Sequence, residues 1–487
     1  MQQQLSTETE PTYDELKAKV LKLEAEVSCL RRFIFGQKRE RFVPAQQEDQ
    51  LTFLVTQKEQ AKPLETEQIN YTRTKPGKKR KHPGRLSLPE SLPRKEIILE
   101  PDEDVSGCKK IGQEITEELE YQPPKFYVKC YIRPKYARPK DEGIAIASLP
   151  FRPIDKGIAG PGLLGHILIS KFVDHIPLYR QCGQFRRLGV DISDSTIGGW
   201  VLATCELLRP LFDLLQNQVL SSNYLMVDET TIKVLDPLLT GKTHQGYYWV
   251  YYDPLAKQVF FDYQKGRGRD GPNNLLKKFT GHLQTDGYKA YNELAAQKRI
   301  TSLGCWAHAR RYFVEAFDGG MEQASYVLKH VQKLYEIERF ARENNYSFEQ
   351  RYTLRQEKAP EIMQKIKAWL NKECLVVLPK SALGKAIQYI LNQWDRLQVY
   401  LTNGRLEIDN NHVENAIRPV ALGRKNYLFA GSHDSAQRAA IVYSIVSTAK
   451  LQGVEPYFYL CDIISRIPQH PFKHLDQLLP KNWNPKN

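Results

Sequence analysis

No Cys-x-x-Cys pair occurs anywhere in this chain, although it holds 8 cysteines. Cys29, Cys108, Cys130, Cys182, Cys205, Cys305, Cys374 and Cys461 are scattered singly. That spacing argues against a disulfide framework and against an ordinary zinc ribbon, and it points to a reducing compartment. No apolar run nears the ~18 residues of a membrane span, and the polar start Met1-Gln2-Gln3-Gln4 lacks the apolar core of a signal peptide. A cytoplasmic protein without a membrane partner is expected. What the sequence has in surplus is positive charge: 70 Lys+Arg against 56 Asp+Glu give +14 over 487 residues. With 41% hydrophobic and 10% aromatic residues there is material for packed cores, so global disorder is excluded, and the length indicates more than one domain. A basic surplus of this size favours polyanionic partners, nucleic acid foremost, through electrostatically steered association.

Tyr13, Leu16, Val20, Leu23, Val27, Leu30 and Ile34 recur at steps of three and four. Residues 1–43 therefore read as a coiled coil, or as one amphipathic helix packed on its own domain. Residues 44–95 read as a flexible linker with a basic end, where Arg73, Lys75, Lys78, Lys79, Arg80, Lys81 and Arg85 occur without an acid among Pro76, Gly77, Pro83 and Gly84. Such an arm either follows phosphates or is a solvated tether. Residues 96–150 reverse the sign, with nine acids from Glu96 to Glu120 against Lys109 and Lys110. They carry the β-prone run Phe126-Tyr127-Val128-Lys129-Cys130-Tyr131-Ile132, and a small β-rich unit is expected. Residues 151–220 turn helical, through Leu163, Leu164, Ile167 and Leu168, then 178–188, then a capped segment from Ser195. Leu188-Gly189-Val190-Asp191-Ile192-Ser193, between two short helices, suits a helix-turn-helix and equally a packed connector.

From Tyr224 the pattern is that of strands. Tyr224-Leu225-Met226-Val227 ends in Asp228; the runs 246–252 and 258–263 flank Asp253-Pro254 as an antiparallel hairpin. A helical stretch over 273–279, a short strand 282–285 ending in Asp286, a helix over 289–297 and a strand near 300–305 follow. The order β-β-β-α-β-α-β is that of a ribonuclease-H-like mixed sheet, an α/β class. Its first part spans 221–317. A helical insertion over 318–403 interrupts it, with Ala324, Val327, Leu328, Val331, Leu334 and later Leu383, Ile387, Ile390, Trp394 and Leu397 at helical spacing. Residues 404–465 complete the core, with a helix from Asp409-Asn410-Asn411 to Arg418 where Pro419 is expected to stop it, and 466–487 form a tail.

The candidate chemistry is carboxylate-only. Asp228 and Asp286 close two strands that can lie side by side, and Glu414 sits on the later helix. Three converging carboxylates repel one another unless cations neutralise them, and hard oxygen donors suit Mg²⁺ or Mn²⁺. Two such ions can activate an attacking oxygen and stabilise a leaving one in an in-line phosphoryl displacement. Singly, each acid has an ordinary reading: a turn for Asp286-Gly287, a cap or strand end for Asp228, a surface glutamate for Glu414. Glu407 and Asp409 rival Glu414 as the third member, and Glu229 is a weaker rival because it points across the sheet from Asp228. Arg418 shares a helix face with Glu414 and can reach a phosphate. Gly266-Arg267-Gly268-Arg269-Asp270-Gly271 matches a dinucleotide fingerprint, but behind a hairpin it reads better as a basic loop on phosphates. In Cys305-Trp306-Ala307-His308-Ala309-Arg310-Arg311, Cys305 and His308 have metal-ligand or nucleophile–base spacing; without a second ligand pair, a buried Cys beside a hydrogen-bonding His is the preferred reading.

Several stretches carry a family likeness: Leu30-Arg31-Arg32-Phe33-Ile34-Phe35-Gly36, Leu283-Gln284-Thr285-Asp286-Gly287-Tyr288, the segment from Cys305 to Arg311, and above all Asp409-Asn410-Asn411-His412-Val413-Glu414-Asn415-Ala416-Ile417-Arg418-Pro419 running into Gly423-Arg424-Lys425-Asn426-Tyr427-Leu428-Phe429-Ala430-Gly431-Ser432. On them the sequence resembles the transposases of insertion sequence 66, of the DDE class with a ribonuclease-H-like core. The resemblance implies Asp228, Asp286 and Glu414 as catalytic, metal-holding triad. It implies cleavage at transposon ends by water and attack of the freed 3′-hydroxyl on target DNA. Terminal inverted repeats, a homo-oligomeric synaptic complex at the nucleoid and small accessory transposition proteins come with it. Arg267, Arg269, Arg310, Arg311, Arg418, Arg424 and Lys425 are the expected DNA contacts. The family commonly has a Cys-rich zinc segment before the core; here only Cys108 and Cys130 remain, short of four ligands, which argues against zinc. Two alternatives stay open: a noncatalytic DNA-binding protein, such as a decayed transposase, and a structure-specific nuclease.

Overall fold

The computed structural model describes residues 126–137, 144–148, 150–155, 157–238 and 242–485. The expected coiled coil, the basic linker and the acidic start of the 96–150 segment lie outside them. Strands β1 (Lys135–Ala137) and β2 (Ile144–Ile146) pair antiparallel. The run 126–132, read as β-prone, is not strand, and Tyr127, Val128 and Ile132 are more than three-quarters exposed. Aromatic and β-branched residues hold a strand only where a partner covers one face; here Phe126 meets Phe185 edge-on at 5.3 Å, and the three residues just named stay open.

Helices α1 (Pro161–Phe172), α2 (Leu178–Arg187) and α3 (Asp194–Leu220) follow. Pro161 at the first helical position starts α1 with its φ already set. The cap of α3 is Ser193, two residues before the expected Ser195; its hydroxyl accepts from Thr196 N–H at 3.2 Å. Nor is α3 short, at 27 residues. Ile197, Trp200, Leu208, Leu211, Leu215 and Val219 are buried along it, and this continuous stripe against the sheet extends the helix beyond what a helix-turn-helix needs.

The sheet comprises β3 (Tyr224–Leu235), β4 (Thr243–Asp253), β5 (Gln258–Gln264), β6 (Gly281–Gln284) and β7 (Ile300–Leu303), in the order β5-β4-β3-β6-β7. The first three are antiparallel, while β6 and β7 run parallel to β3. This mixed α/β arrangement is compatible with a ribonuclease-H-like core. Short α4 (Asp270–Leu275) and α5 (Asn292–Ala295) link β5 to β6 and β6 to β7. Gly281 is required where β6 meets β3: its φ is +125°, and a Cβ there would lie 2.2 Å from Asn223 O.

One expectation needs correction: β3 does not end at Asp228. What stops there is the parallel pairing with β6, whose last register pair is Met226 with Gln284. The β-branched run Thr230-Thr231-Ile232-Lys233-Val234 carries β3 on as a hairpin arm with β4, as far as Leu235 opposite Thr243. Its other edge is bonded to Ala430, through Ala430 N–H to Lys233 O (2.8 Å) and Leu235 N–H to Ala430 O (2.9 Å).

Helices α6 (Trp306–Asp318), α7 (Ala324–Glu343), α8 (Phe348–Glu373) and α9 (Ala382–Gln398) then lead to α10 (Asn411–Tyr427), α11 (His433–Leu451) and α12 (Pro456–Arg466). The expected stop at Pro419 does not occur; α10 runs through it to Tyr427. Val413, Ala416, Val420 and Gly423 are buried on both sides of the proline, and that packing outweighs the roughly 3 kcal/mol a mid-helix proline costs. Helix α11 closes the free edge of β5: Val259 N–H donates to Thr448 Oγ1 (3.1 Å) and Phe261 N–H to Ser444 Oγ (2.8 Å). Among the described residues no helix is long and apolar enough to cross a membrane.

A titratable group on β5 yields a stability prediction. Burial pushes the Asp262 carboxyl up to about 6, from 3.8. The folded state therefore binds this proton more tightly than the unfolded chain. The stability lost to Asp262 develops as pH rises from about 4 through about 6 and is absent below. Asp262→Asn keeps an acceptor for Gln264 Nε2, now 2.7 Å away. It is expected to raise stability at pH 8 by up to about 3 kcal/mol and to change little at pH 3.5, by urea unfolding. An equal gain at both pH values would refute the cause.

Candidate active site

Because side chains alternate along a strand, Asp228, Val250 and Phe261 lie in register on one face, and Glu229, Trp249 and Asp262 on the other. The first face is the one α10 and α11 cover: Tyr252 stacks on His412 at 5.7 Å, and Tyr248 Oη donates to Ala436 O at 2.9 Å. Asp228 and Asp286 each stand two residues beyond the last β3–β6 pair, so they leave neighbouring parallel strands at the same level. Asp286 also forms the turn its Asp-Gly sequence suggests. Its Oδ1 accepts from Tyr288 N–H at 2.8 Å, Gly287 takes φ +86°, and Tyr389 Oη donates to Asp286 O at 2.7 Å. The turn thus fixes the carboxylate instead of competing with it.

Glu414 lies in the first turn of α10, where unpaired helix N–H groups favour negative charge. It is held from α6. His308 Nε2 lies 3.6 Å from Oε1, and Arg311 Nη2 lies 3.6 Å from Oε2. His308 and Arg311 are three apart and share a helix face. Burial keeps the His308 imidazole below its ordinary pKa, against the pull of Glu414. Asp228 feels all of this. Burial first, then the charges of Glu229, Asp286 and, more weakly, Glu414, hold its carboxyl well above the usual carboxylate range, against a hydrogen bond from Glu229 N–H. Three acids distant in sequence therefore share one electrostatic neighbourhood.

The rivals are committed elsewhere. Glu407 is bidentate with Arg351, at 2.9 and 2.6 Å. Asp409 accepts from Tyr335 Oη (2.7 Å) and from Asn411 N–H (3.0 Å) and Nδ2 (2.9 Å), tying down the start of α10. Glu229 accepts from Arg267 Nε (2.8 Å) and Tyr291 Oη (3.1 Å). Arg267 also lies over the Tyr288 ring at 3.9 Å. In the same Gly-rich loop Arg269 pairs with Glu293, and the loop follows an antiparallel edge strand, which is not a dinucleotide-site context. Arg311 and Arg418 are exposed near Glu414; Arg310 is half-buried beside Tyr335; Arg424 bonds Thr231 O and Oγ1; Lys425 is exposed. Cys305 is fully buried and accepts from Asn410 N–H at 3.5 Å; Cys130 is exposed and unpaired.

Sequence reasoning missed His308 as the partner of Glu414, and it missed the hydrogen bonds under the site. Gln284 accepts from Tyr224 Oη (2.6 Å) and donates to Gly304 O (3.1 Å) and Glu407 O (3.0 Å), while Glu407 N–H donates back to Tyr224 Oη (3.0 Å). This knot joins β3, β6 and the chain that enters α10.

By kind, the donors fit a hard divalent cation. They are carboxylate oxygens in mutual repulsion, and Glu414 Oε1 is buried without a hydrogen-bond partner, as are His308 Nδ1 and both side-chain polar atoms of Asn410. By closure they stop short: among the described residues no three His, Cys, Asp or Glu are grouped tightly enough to hold a metal ion.

Residues 156–438 match the family model described as "Transposase IS66 family", residues 444–481 the model "IS66 C-terminal element", and residues 22–97 the model "Transposase C of IS166 homeodomain". The chain is similar to three proteins of Sinorhizobium fredii (strain NBRC 101917 / NGR234), each titled an uncharacterized protein. It is 32% identical to y4hP across 95% of this chain and 89% of that protein. The identity is 33% with y4jD across 96% of each, and 33% with y4qI across 96% and 90%.

Proposed function

Because the chain belongs to the IS66 transposase family, we propose that it cuts DNA at the ends of a mobile element and joins the freed 3′-hydroxyl to target DNA, using Asp228, Asp286 and Glu414. The observation that carries this reading is that Asp228 and Asp286 stand at one level on neighbouring parallel strands with Glu414 in the first turn of α10 within their electrostatic reach, where burial first, then Glu229, Asp286 and Glu414, raise the Asp228 carboxyl. In the first step a water oxygen attacks the scissile phosphorus as the bond to O3′ breaks; in the second that 3′-oxygen attacks a target phosphorus as the target strand's own P–O3′ bond breaks and its 3′-hydroxyl leaves. A divalent ion held by the three carboxylates would polarise the phosphate and lower the pKa of the attacking water. His308 and Arg311 keep Glu414 turned inward, and Arg311 and Arg418 offer charge to the phosphate entering beside it. Joining two ends calls for at least two copies of the chain.

A competing reading, a chain that occupies terminal repeats without cutting, draws on the incomplete closure of the carboxylates. To separate the two, the protein is incubated with duplexes carrying the inverted repeats that bracket its gene, in Mg²⁺ or Mn²⁺. Nicked ends with free 3′-hydroxyls, followed by joined products, are expected. Salt-sensitive binding with no strand scission in either metal would reject the enzymatic reading, and scission without joining would mark a nuclease.

A further inference from the structure

A groove away from the carboxylates opens between α2 and the C-terminal end of α10. It is lined by His175, Tyr179, Arg180, Gly183, Arg187 and Asn426, among others. Arg180 and Arg187 are exposed, and among the described residues neither has an acidic partner. Arg186, between them on the same helix, is instead paired with Asp191 at 3.1 Å. Asp174, the acid of the lining, is exposed and lies within the electrostatic reach of Lys450. The Tyr179 ring is 57% exposed, with the Arg180 guanidinium 5.6 Å above it and Arg180 Nε donating to Tyr179 Oη at 3.0 Å. At Gly183 a Cβ would meet only Arg187 Nη1, at 3.9 Å, so bare backbone floors this part of the groove. Two exposed guanidinium groups without acidic partners, one of them steadied on a tyrosine, and an amide along an open groove are the chemistry that meets a nucleic-acid backbone.

The groove also has a fixed relation to the site. Glu414 and Asn426 stand at opposite ends of α10, twelve residues apart, which is about 18 Å along a helix axis. Duplex DNA advances 3.4 Å per base pair, so that span is about five base pairs. We propose that the α2–α10 groove grips the phosphate backbone of duplex DNA about five base pairs from the phosphate presented to the carboxylates. The proposal rests on the transposase reading for what lies at the other end of α10, and it adds a contact that works without metal.

The test measures binding of the full chain to a terminal-repeat duplex and to a random duplex, across salt concentrations and without divalent metal. The Arg180→Ala/Arg187→Ala variant should bind both more weakly, with a log–log salt slope shallower by about two, because each phosphate contact contributes about 0.9. Arg186→Ala should leave the slope unchanged. Phosphate ethylation about five base pairs from the cleaved position should inhibit the wild type and leave the double variant indifferent. If the alanine pair fails to fold by circular dichroism, Arg180→Gln/Arg187→Gln replaces it in the same measurements. An unchanged slope, or ethylation effects confined elsewhere, overturns the groove even if the wild type cuts its DNA. A shallower slope in a protein that never cuts upholds the groove and rejects the catalytic reading, and a wild type that binds neither duplex overturns both.

Discussion

Asp286→Asn and Glu414→Gln should bind terminal-repeat DNA as the wild type does and cut it at least about 10³-fold more slowly, the loss expected when roughly 4 kcal/mol of charge stabilisation leaves the transition state. Both replacements keep shape. In Asp286→Asn the amide oxygen can still accept from Tyr288 N–H, so the turn after β6 is preserved. Asp228→Asn should be as inactive, but with a second signature. In the wild type, burial and three neighbouring acids work against the Asp228 charge, while its Oδ1 accepts from Glu229 N–H at 2.8 Å, a bond an amide oxygen can replace. Removing the charge removes the repulsion, and Asp228→Asn should unfold at higher urea, by about 1–2 kcal/mol near neutral pH. A group that destabilises the fold and is indispensable to the reaction is what a catalytic carboxylate should be. Wild-type cleavage by any of the three variants would reject the triad, and a destabilised Asp228→Asn would show that its carboxylate serves the fold instead.

The sheet is legible in the sequence because its signals are local. Apolar runs ending in acids, the Asp253-Pro254 turn and the aromatic and β-branched runs on either side of it suffice to order five strands. The end of β3 is not, because Asp228 interrupts an apolar run and thereby mimics a boundary. The strand continues through pairing with β4, a contact no short window contains. Pro419 misleads for a similar reason: the penalty is local, whereas the burial of Val413, Ala416 and Val420 that overrides it comes from the sheet. At the candidate site, the three acids are visible as residue types, Asp286 just past β6, Glu414 in the first turn of α10 and Asp228 where an apolar run breaks inside β3. Their supports are not. His308 sits 106 residues before Glu414 and reads as a partner of nearby Cys305, and only the packing of α6 against the start of α10 brings its ring to the carboxylate. Glu407 and Asp409 look like equal candidates in sequence; what disqualifies them is Arg351 and Tyr335, contributed by helices α8 and α7.

Those helices carry the largest expected effect on stability. Arg355 and Glu338 are essentially unexposed and bonded at two points, 2.7 and 2.8 Å, and Glu338 also accepts from Arg351. Arg355 donates further to the carbonyls of Tyr400 (2.7 Å), Asn403 (2.9 Å) and Leu406 (2.8 Å), the segment that leads to Glu407 and α10. A buried pair adds little net stability when whole, because desolvation offsets attraction, but removing one member strands the other. Arg355→Met should therefore lower stability by about 3–5 kcal/mol in urea unfolding, with the carbonyls of Tyr400 and Leu406 also losing this donor while Asn403 O keeps Leu406 N–H at 3.2 Å. Arg351→Met should lower it less, because its partner Glu407 is 20% exposed and Glu338 keeps Arg355. If the stranded charge is the cause, Glu338→Gln introduced into Arg355→Met should return part of the loss, whereas two independent contacts would give summed losses. The same variant reports on function: at temperatures where Arg355→Met stays folded, slack in residues 400–408 should reach Glu414 and slow strand cleavage while DNA affinity holds. An Arg355→Met chain that is folded and cuts at the wild-type rate would show that this clamp stabilises the helices without setting the site.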